Sequence, residues 1–436
     1  MLKNIFEVAI SSNEILTKTN SSELRFQVKN VKRKKTYGLF YRFIIGLVLI
    51  LKVIFRKKSY LNKINKDKSV TGKIAVYSTL NQFKTIDKIV DETFSIYSLN
   101  NSIDEGIFIS KYKLHSILIY ILWYFILFFY VMYKKGVVNA VLLYSSCGER
   151  FPLAVLDYKF YIKFLQNKKV KSVLVANDHN YEIRSLILAS KKLDIKRYYL
   201  QHGVVSDSFP DANVFTACFF DGHQALECYQ RISKLECQYY LVGAVRFCIK
   251  SKINLSCIGN SVINIALNDT IDLAGIECMF KIVRAKMLKG MICKVRFHHM
   301  QSESDGIKKL CNTHDFIVEQ TNMSVVDFLS KSRYLITVSS GIVLDALRIG
   351  VLPIIYIDHN SIDDFGYVEH SSALPLESLD FNNIDFKRKI NEITQNGTYY
   401  DYLLNKGEFE YDKSIDLIKE ILDSENIKND GKSIKL

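Results

Sequence analysis

From residue 73 onward, short apolar runs alternate with longer segments that have helical periodicity. Short apolar runs are typical of buried strands, and their alternation with helices is typical of parallel α/β proteins. The pattern predicts two groups of strands, separated by the polar stretch 250–260. The first group is Ile74–Ser78, Ser172–Ala176, Arg197–Leu200, Phe215–Phe220 and Tyr239–Val242, and the second is Val262–Leu267, Cys293–Phe297, Phe316–Val318, Tyr334–Val338 and Val351–Ile357.

The two groups predict two α/β domains, over residues 73–250 and 251–410. Residues 1–72 form a basic amino-terminal segment that precedes them. Residues 411–436 form a terminal segment, and the periodicity of 411–424 predicts an amphipathic helix. The helix in SGIVLDALRIG is predicted to end at Gly350, because glycine commonly follows the last helical residue.

Polar residues follow several predicted strands directly. Ligands of open α/β sheets bind outside the carboxyl ends of the strands, so these residues predict a site between the two halves. The polar strand ends are Asp178-His179, Gln201-His202-Gly203, Asp221-Gly222-His223, Gly243 with Arg246, His298-His299 and Ser339-Ser340-Gly341.

Three of these strand ends have residue types suited to catalysis or anion binding. Ser339-Ser340-Gly341 opens a helix, where hydroxyls cap the helix or its N–H groups hold a phosphate. His298-His299 can donate to a phosphate, and His202 can take a proton from a hydroxyl. Gly203 is expected to give the backbone freedom for a tight turn. An ordinary helix cap and two loop histidines would produce the same local sequences.

The net charge of +14 favours anionic partners. No recognisable nucleic-acid motif or aromatic platform accompanies the basic segment 29–73, so no nucleic acid is expected. The nine cysteines form no CxxC pair, and the chain contains no DxD motif, so neither a metal nor a cofactor is expected. Residues 1–15 contain Glu7 and Glu14 and lack a long apolar core, so no signal peptide is expected.

Two apolar segments raise the question of membrane contact. Phe43–Phe55 is short, contains Lys52 and lies between the basic clusters Lys32–Lys35 and Arg56–Lys58. Ile117–Tyr133 is at the lower length limit for a membrane span, but tyrosine and tryptophan occur throughout it. A buried core helix, an in-plane membrane helix and a true span all remain open for the second segment. Basic flanks favour peripheral attachment to the anionic inner face of the plasma membrane, with the protein in the cytoplasm.

Four stretches follow one another between about residues 170 and 360: YYLQHGVV, YYLVGAVRF, VRFHHMQSES and LITVSSGIVLDALRIGVLPIIYI. They resemble bacterial cell-surface polysaccharide glycosyltransferases of the GT-B type. The similarity is to sialyl- and Kdo-type transferases, which use CMP-sugars, and to CDP-glycerol glycerophosphotransferases. The resemblance implies a GT-B-like α/β fold, with two Rossmann-like domains facing a cleft.

The resemblance also implies roles for individual residues. His298 matches the histidine of the family's His-Pro pair, with His299 in place of the proline. Ser339 and Ser340 match a phosphate-contacting turn, and His202 matches a His-Gly histidine that acts as base. Asp178 and Asp207 are the alternative bases. The residues expected to bind the donor nucleotide are His298, His299, Ser339, Ser340, Gly341 and Arg246.

The resulting expectation is an inverting, metal-independent glycosyltransferase or polyol-phosphate transferase. It would use a CMP-, CDP- or UDP-linked donor and a glycan or lipid-linked acceptor in capsule, lipopolysaccharide or teichoic acid synthesis. One alternative is a UDP-sugar 2-epimerase, which needs no acceptor. Another is a non-catalytic, membrane-associated assembly factor for polysaccharide synthesis.

Overall fold

The structure is a computed structural model of the 436-residue chain. It describes residues 38–55, 72–99, 107–108, 115–135, 137, 140–141, 144, 148–177, 180–205, 209–245, 262–268, 271–298, 305–319, 323–338, 340–357, 365–381, 384–395, 403 and 411–424. The chain divides into two compact units. The first comprises Met1–His202, Asp207–Arg246 and Phe409–Leu436, and the second comprises Gly203–Ser206 and Phe247–Glu408.

Among the described residues, the first unit contains a seven-stranded sheet with parallel strand pairings. Its strands are β1 (Lys73–Tyr77), β2 (Phe94–Ser98), β3 (Ile107–Phe108), β4 (Ser172–Val175), β5 (Lys196–Leu200), β6 (Ala217–Phe220) and β7 (Gln238–Leu241). The spatial order is β3-β2-β1-β4-β5-β6-β7. This is the doubly wound Rossmann order with one strand added, and the order of the strands reverses between β1 and β4.

The second unit contains a six-stranded parallel sheet. Its strands are β8 (Val262–Ala266), β9 (Ile292–Arg296), β10 (Ile317–Val318), β11 (Tyr334–Thr337), β12 (Leu352–Ile355) and β13 (Leu374–Pro375). The order β10-β9-β8-β11-β12-β13 is again the Rossmann order, with the reversal between β8 and β11.

The helices connect and flank these strands. Among the described residues, those of the first unit include α1 (Leu39–Phe55), α2 (Leu80–Ile86), α3 (His115–Lys135), α4 (Arg150–Asn167), α5 (Tyr181–Lys192) and α6 (His223–Ile232). In the second unit they are α7 (Leu273–Lys286), α8 (Asp305–Thr313), α9 (Val325–Leu329), α10 (Ile342–Ile349) and α11 (Phe386–Gln395). The chain then supplies α12 (Tyr411–Asp423) to the first unit.

Each of the ten strands predicted from the sequence coincides with an observed strand, with ends that differ by at most a few residues. Central strands such as β4 and β6 are buried at every position, because helices cover both faces of a parallel sheet. The sequence did not predict β2, β3 or β13. β2 mixes serine with its apolar residues, and the other two are two-residue strands at sheet edges.

The predicted end of α10 is confirmed. Gly350 follows the helix with a left-handed φ of 78°, which glycine adopts without steric cost. Its backbone N–H donates to the carbonyl of Leu347 at 3.3 Å. This cap ends the helix and leads the chain directly into β12.

The amphipathic helix predicted near the carboxyl terminus is α12, and it packs on the first sheet. Ile415, Ile418 and Ile421 belong to the same buried cluster as the stacked rings of Tyr198 and Phe219. Beyond the helix, the carbonyl of Ser424 accepts a 2.7 Å hydrogen bond from Lys196 Nζ. The last described segment of the chain is therefore part of the core of the first unit.

The two apolar segments of the amino-terminal half form α1 and α3, which pack against each other and against α4. Ile50 of α1 and the α3 residues Tyr120, Trp123 and Tyr124 lie in one buried cluster. Other side chains of α3 are strongly exposed. The helix is thus neither wholly a core helix nor wholly exposed, because one face is packed and the other is open.

Candidate functional site

A buried glutamine joins the carboxyl ends of β5 and β6. Gln201 Oε1 accepts a 2.7 Å hydrogen bond from the backbone N–H of Asp221, and the Gln201 N–H donates to the Phe219 carbonyl at 3.0 Å. Gln201 and Asp221 are both 2% exposed. This contact fixes the exit of β5, and it therefore fixes the backbone from which His202 projects.

His202 is half-buried at this edge, with its Nδ1 atom inside the protein. The turn after His202 does not require a glycine with a left-handed φ. The φ of Gly203 lies outside the left-handed region, and an added Cβ would meet nothing within 4 Å. The expectation that Gly203 supplies backbone freedom is therefore wrong, since an alanine fits there without strain.

The carboxyl end of β4 is also organised by polar side chains. Asn177 Oδ1 accepts from the Asn180 N–H at 2.9 Å, and Asn180 caps α5 by accepting from the Glu182 N–H at 2.9 Å. This is a normal helix cap, which satisfies an otherwise unpaired donor of the first turn. Asp178 lies between the two asparagines in sequence and outside the described residues.

In the second unit, the turn from β11 into α10 leaves open space at the start of the helix. An added Cβ at Gly341 would meet nothing within 4 Å, although its φ of −63° suits any residue. Ser340 Oγ accepts only a long hydrogen bond, 3.5 Å, from the Ile342 N–H. A weakly capped helix start, with no described side chain within 4 Å of the Cβ position of its capping glycine, can receive an anion on its N–H groups.

A buried tyrosine supports this turn from within the unit. Tyr367 is fully buried, and its hydroxyl donates a 3.1 Å hydrogen bond to the carbonyl of Ser340. The Tyr367 carbonyl in turn accepts from the Ser372 N–H at 2.7 Å. Tyr367 therefore holds the backbone of Ser340 in place. No local pattern in the sequence indicates this role, because the two residues are far apart along the chain.

Arg296 is the last residue of β9, at the carboxyl end of a strand in the same sheet, and it was not selected from the sequence. Arg296 lies 5.8 Å from the centre of the Phe328 ring, and its Nη1 is buried without a hydrogen-bond partner among the described residues. Burial lowers the pKa of Arg296 below its usual range, because the charged guanidinium loses hydration. A buried cationic nitrogen that has no described hydrogen-bond partner is suited to bind an anionic ligand. His298 follows Arg296 by two residues and is half-buried.

The adjacent strands β8 and β11 flank the point where the strand order reverses. The buried Asn268 follows β8, and Thr337 of β11 donates a 2.7 Å hydrogen bond from Oγ1 to the Ala266 carbonyl. In doubly wound sheets, the crevice at such a reversal is where ligands bind. Asn268 is a second candidate contact that the sequence analysis missed, because an isolated asparagine after a strand is common.

The structure brings together only some of the predicted site residues. His298, Ser340 and Gly341 follow strands of the second sheet, and His202 follows a strand of the first. Asp178, Asp207, Arg246, His299 and Ser339 lie outside the described residues. Among the residues that are described, no group of three His, Cys, Asp or Glu side chains could hold a metal ion.

Comparisons with known proteins identify the fold of this chain but not its family. No family model matches the chain, and no curated protein matches its sequence. A Listeria monocytogenes protein assigned as a UDP-N-acetylglucosamine 2-epimerase aligns with a TM-score of 0.50 at 13% identity, over 84% of this chain and 99% of the other. The chain therefore has the GT-B fold, with two Rossmann-like α/β domains, as the sequence predicted.

Two glycosyltransferase structures are also similar at lower scores. A glycosyltransferase from Rickettsia africae aligns with a TM-score of 0.47 at 12% identity, over 81% of this chain and 98% of the other. MurG from Acinetobacter baumannii aligns with a TM-score of 0.44 at 9% identity, over 80% and 99% of the two chains.

Proposed function

We propose that this protein is a nucleotide-sugar enzyme of the GT-B fold, and specifically an inverting transferase of bacterial surface polysaccharide synthesis. The observation that carries the proposal is the β11–α10 turn of the second unit. There, a weakly capped helix follows β11, the strand beside the point where the strand order of a Rossmann sheet reverses, and no described atom lies within 4 Å of the Cβ position of Gly341. The sequence resemblance of residues 170–360 supports the polysaccharide context.

The second unit is assigned to the donor. In this proposal the phosphates of a CMP-, CDP- or UDP-linked donor bind at the start of α10, with Ser340 donating from its hydroxyl. Arg296 and His298 neutralise the charge that develops on the leaving phosphate. Ser339 and His299 of the second unit, and Arg246 at the end of the first unit, are further candidates by their positions in the sequence. Such preorganised donors stabilise the transition state by roughly 3–4 kcal/mol each.

The first unit is assigned to the acceptor, a glycan or a lipid-linked sugar. The acceptor hydroxyl oxygen bonds to the anomeric carbon while the bond from that carbon to the phosphate oxygen breaks. The hydroxyl proton goes to His202, whose backbone is fixed through Gln201, and the electron pair leaves on the nucleotide phosphate. Asp178 and Asp207 are the alternative bases. For a glycerophosphate donor, the same groups would act at phosphorus.

A second candidate is a UDP-sugar 2-epimerase. The Listeria monocytogenes protein assigned to that activity covers 84% of this chain in the structural alignment, which supports it. An epimerase would use the same nucleotide site, but it would invert the configuration at C2 of the sugar and would need no acceptor. A non-catalytic assembly factor would have neither activity.

An acceptor-dependence assay distinguishes these functions. The full chain is incubated with UDP-N-acetylglucosamine, CMP-sialic acid, CMP-Kdo or CDP-glycerol, with and without a lipid extract that contains polysaccharide precursors, and products are followed by mass spectrometry. We expect one donor to release its nucleotide only when the extract is present. Conversion of the UDP-sugar to its epimer without extract would establish the epimerase instead, and no turnover of any donor would favour the assembly factor.

A further inference from the structure

We infer that the exposed faces of α1 and α3 form a preformed docking surface for an anionic lipid bilayer, which they contact in the membrane plane without crossing it. This surface, called here the apolar face, consists of Phe40, Tyr41, Ile44, Val48 and Leu49 of α1 and Leu118, Leu122, Phe125, Ile126, Phe129 and Tyr133 of α3. Its residues are 38–82% exposed.

The exposed residues of α3 lie on one side of the helix. At 100° per residue, they fall within an arc of about 100° that contains none of the helix's buried residues. The buried residues Tyr120, Trp123, Tyr124 and Leu127 lie on the opposite side. The apolar face is therefore continuous along α3. A contiguous exposed apolar patch of this kind marks an interaction surface.

The packed sides of the two helices are closely fitted, so the apolar face has a fixed shape. Tyr124 donates a 2.8 Å hydrogen bond from its hydroxyl to the Leu39 carbonyl, and Tyr120 donates at 3.2 Å to the Phe43 carbonyl. A Cβ at Gly46 would overlap the Tyr120 ring, with 2.4 Å to its Cζ. Only glycine allows α1 to approach α3 this closely.

The same packing argues against a membrane span. His115–Tyr133 is long and apolar enough to cross a bilayer by length and composition. However, Trp123 lies 5.8 Å below Lys159 Nζ of α4, and α1 carries Arg42, which is ion-paired with Glu149. A span would place these charged groups and the side of the α/β domain in hydrocarbon, at high cost. An in-plane helix leaves them on the aqueous side.

The charge of the sequence around α1 identifies the partner. Residues 29–73 contain 14 lysines and arginines and one acidic residue, Asp67, so their formal charge is 14 − 1 = +13, against +14 for the whole chain. α3 contains no acidic residue and ends in Lys134-Lys135. An apolar face on helices whose neighbouring sequence is strongly basic fits anionic headgroups above acyl chains. Two copies of this surface would repel each other.

Vesicle binding by full-length protein tests the inference. We expect binding to vesicles of phosphatidylcholine with phosphatidylglycerol, and much weaker binding to phosphatidylcholine alone. Leu122→Glu and Phe129→Glu are each expected to reduce binding at least about tenfold, because a charge replaces an apolar side chain that the bilayer would bury. Leu273→Glu is the matched control, since Leu273 is an exposed leucine at the start of α7, outside the apolar face.

Depth measurements separate the in-plane orientation from a span. Leu118→Trp, Phe125→Trp and Tyr133→Trp are made singly in a Trp123→Phe background, and quenching by lipids brominated at different acyl positions is recorded. Leu118 and Tyr133 are about 22 Å apart along the helix. We expect all three to quench at one shallow depth. Deep quenching at position 125 with shallow ends would establish a span and overturn the inference.

Other results would also overturn it. Wild-type binding that Leu122→Glu and Phe129→Glu leave unchanged would show that the apolar face is not the docking surface. Absence of vesicle binding, together with a dimer that these substitutions dissociate, would assign the face to a second copy of the chain. Far-ultraviolet circular dichroism of each variant confirms that its helices are intact, so loss of binding reports on the surface.

Discussion

Replacing His202 with alanine is expected to lower the transfer rate by roughly 10²–10⁴-fold, the usual contribution of a positioned general base. Donor affinity should not change, because His202 is assigned to the acceptor, whereas Arg296, His298, Ser340 and Gly341, the described residues assigned to the donor, are in the second unit. Single-turnover transfer rates and donor titrations on the same preparations measure the two effects. A stable His202→Ala protein with wild-type transfer would end the base assignment, and Asp178 and Asp207 would be tested next.

Two control variants show whether the loss is chemical or structural. Gln201→Leu removes the buried acceptor of the Asp221 N–H and is expected to lower the free energy of unfolding by about 1–3 kcal/mol. His314→Ala removes a histidine that precedes β10, at the amino-terminal end of that strand, and should leave transfer unchanged. If His202 is only a turn residue, His202→Ala will resemble Gln201→Leu, with lower stability and a normal rate for each folded molecule.

Replacing Arg42 with methionine is expected to lower the free energy of unfolding by about 3–5 kcal/mol, because it leaves a buried carboxylate without its counter-charge. Arg42 Nη1 lies 3.2 Å from Glu149 Oε1, and the Glu149 side chain is 7% exposed. Its Oε2 is buried with no hydrogen-bond partner among the described residues. Trp123, the one tryptophan of the chain, lies in the adjacent apolar cluster, so its fluorescence reports this unfolding.

The effect of Arg42→Met should depend on pH. Burial raises the pKa of Glu149 above its ordinary value of 4.5, although Arg42 partly opposes the shift. A carboxyl whose folded pKa is raised loses stability as the pH rises from its ordinary value through the folded pKa. Removing Arg42 raises that pKa further, so the loss should be largest at neutral pH and should diminish as the pH falls toward about 5.

Glu149→Gln provides the control for this pair. In that background, Arg42→Met should lower the free energy of unfolding much less. The pH dependence of its effect should also disappear, because no carboxylate is left to titrate. An Arg42→Met loss of the same size in the wild type and in the Glu149→Gln background would show that Arg42 acts through packing of its alkyl chain alone.

The strands could be predicted because their burial requires apolar residues at successive positions, which is a local pattern in the sequence. β4 and β6 are buried on both faces, so β6, and β4 after its first residue Ser172, are short apolar runs that contrast with their polar surroundings. β2 and β13 lack that contrast, since they are half-buried or short. α3 was ambiguous for another reason. Its composition is apolar on all sides, and only the packing of α1 and α4 decides which side is covered.

The candidate site was only partly accessible from the sequence. Ser340 and His298 could be selected because they directly follow predicted strands, which is where ligands of parallel sheets bind. Arg296 and Tyr367 could not, because their roles depend on partners far along the chain. Phe328 covers the Arg296 guanidinium, and the Ser340 carbonyl accepts from the Tyr367 hydroxyl. Long-range contacts of this kind leave no local pattern.

Nucleotide titration of the full chain is the most direct test of the proposed donor site. CMP, CDP, UDP and GDP are titrated calorimetrically into the wild type, Ser340→Ala and Gly341→Val. We expect one nucleotide to bind the wild type, and to bind both variants at least about tenfold more weakly. Ser340→Ala removes a hydrogen bond to a charged phosphate, which contributes about 1.5–3 kcal/mol, and Gly341→Val places a side chain where the phosphate is proposed to bind. Thermal stability without nucleotide should stay unchanged, since Gly341 faces open space. Failure of every nucleotide to bind the wild type, or equal binding by both variants, would contradict the assignment of the β11–α10 turn as the donor site.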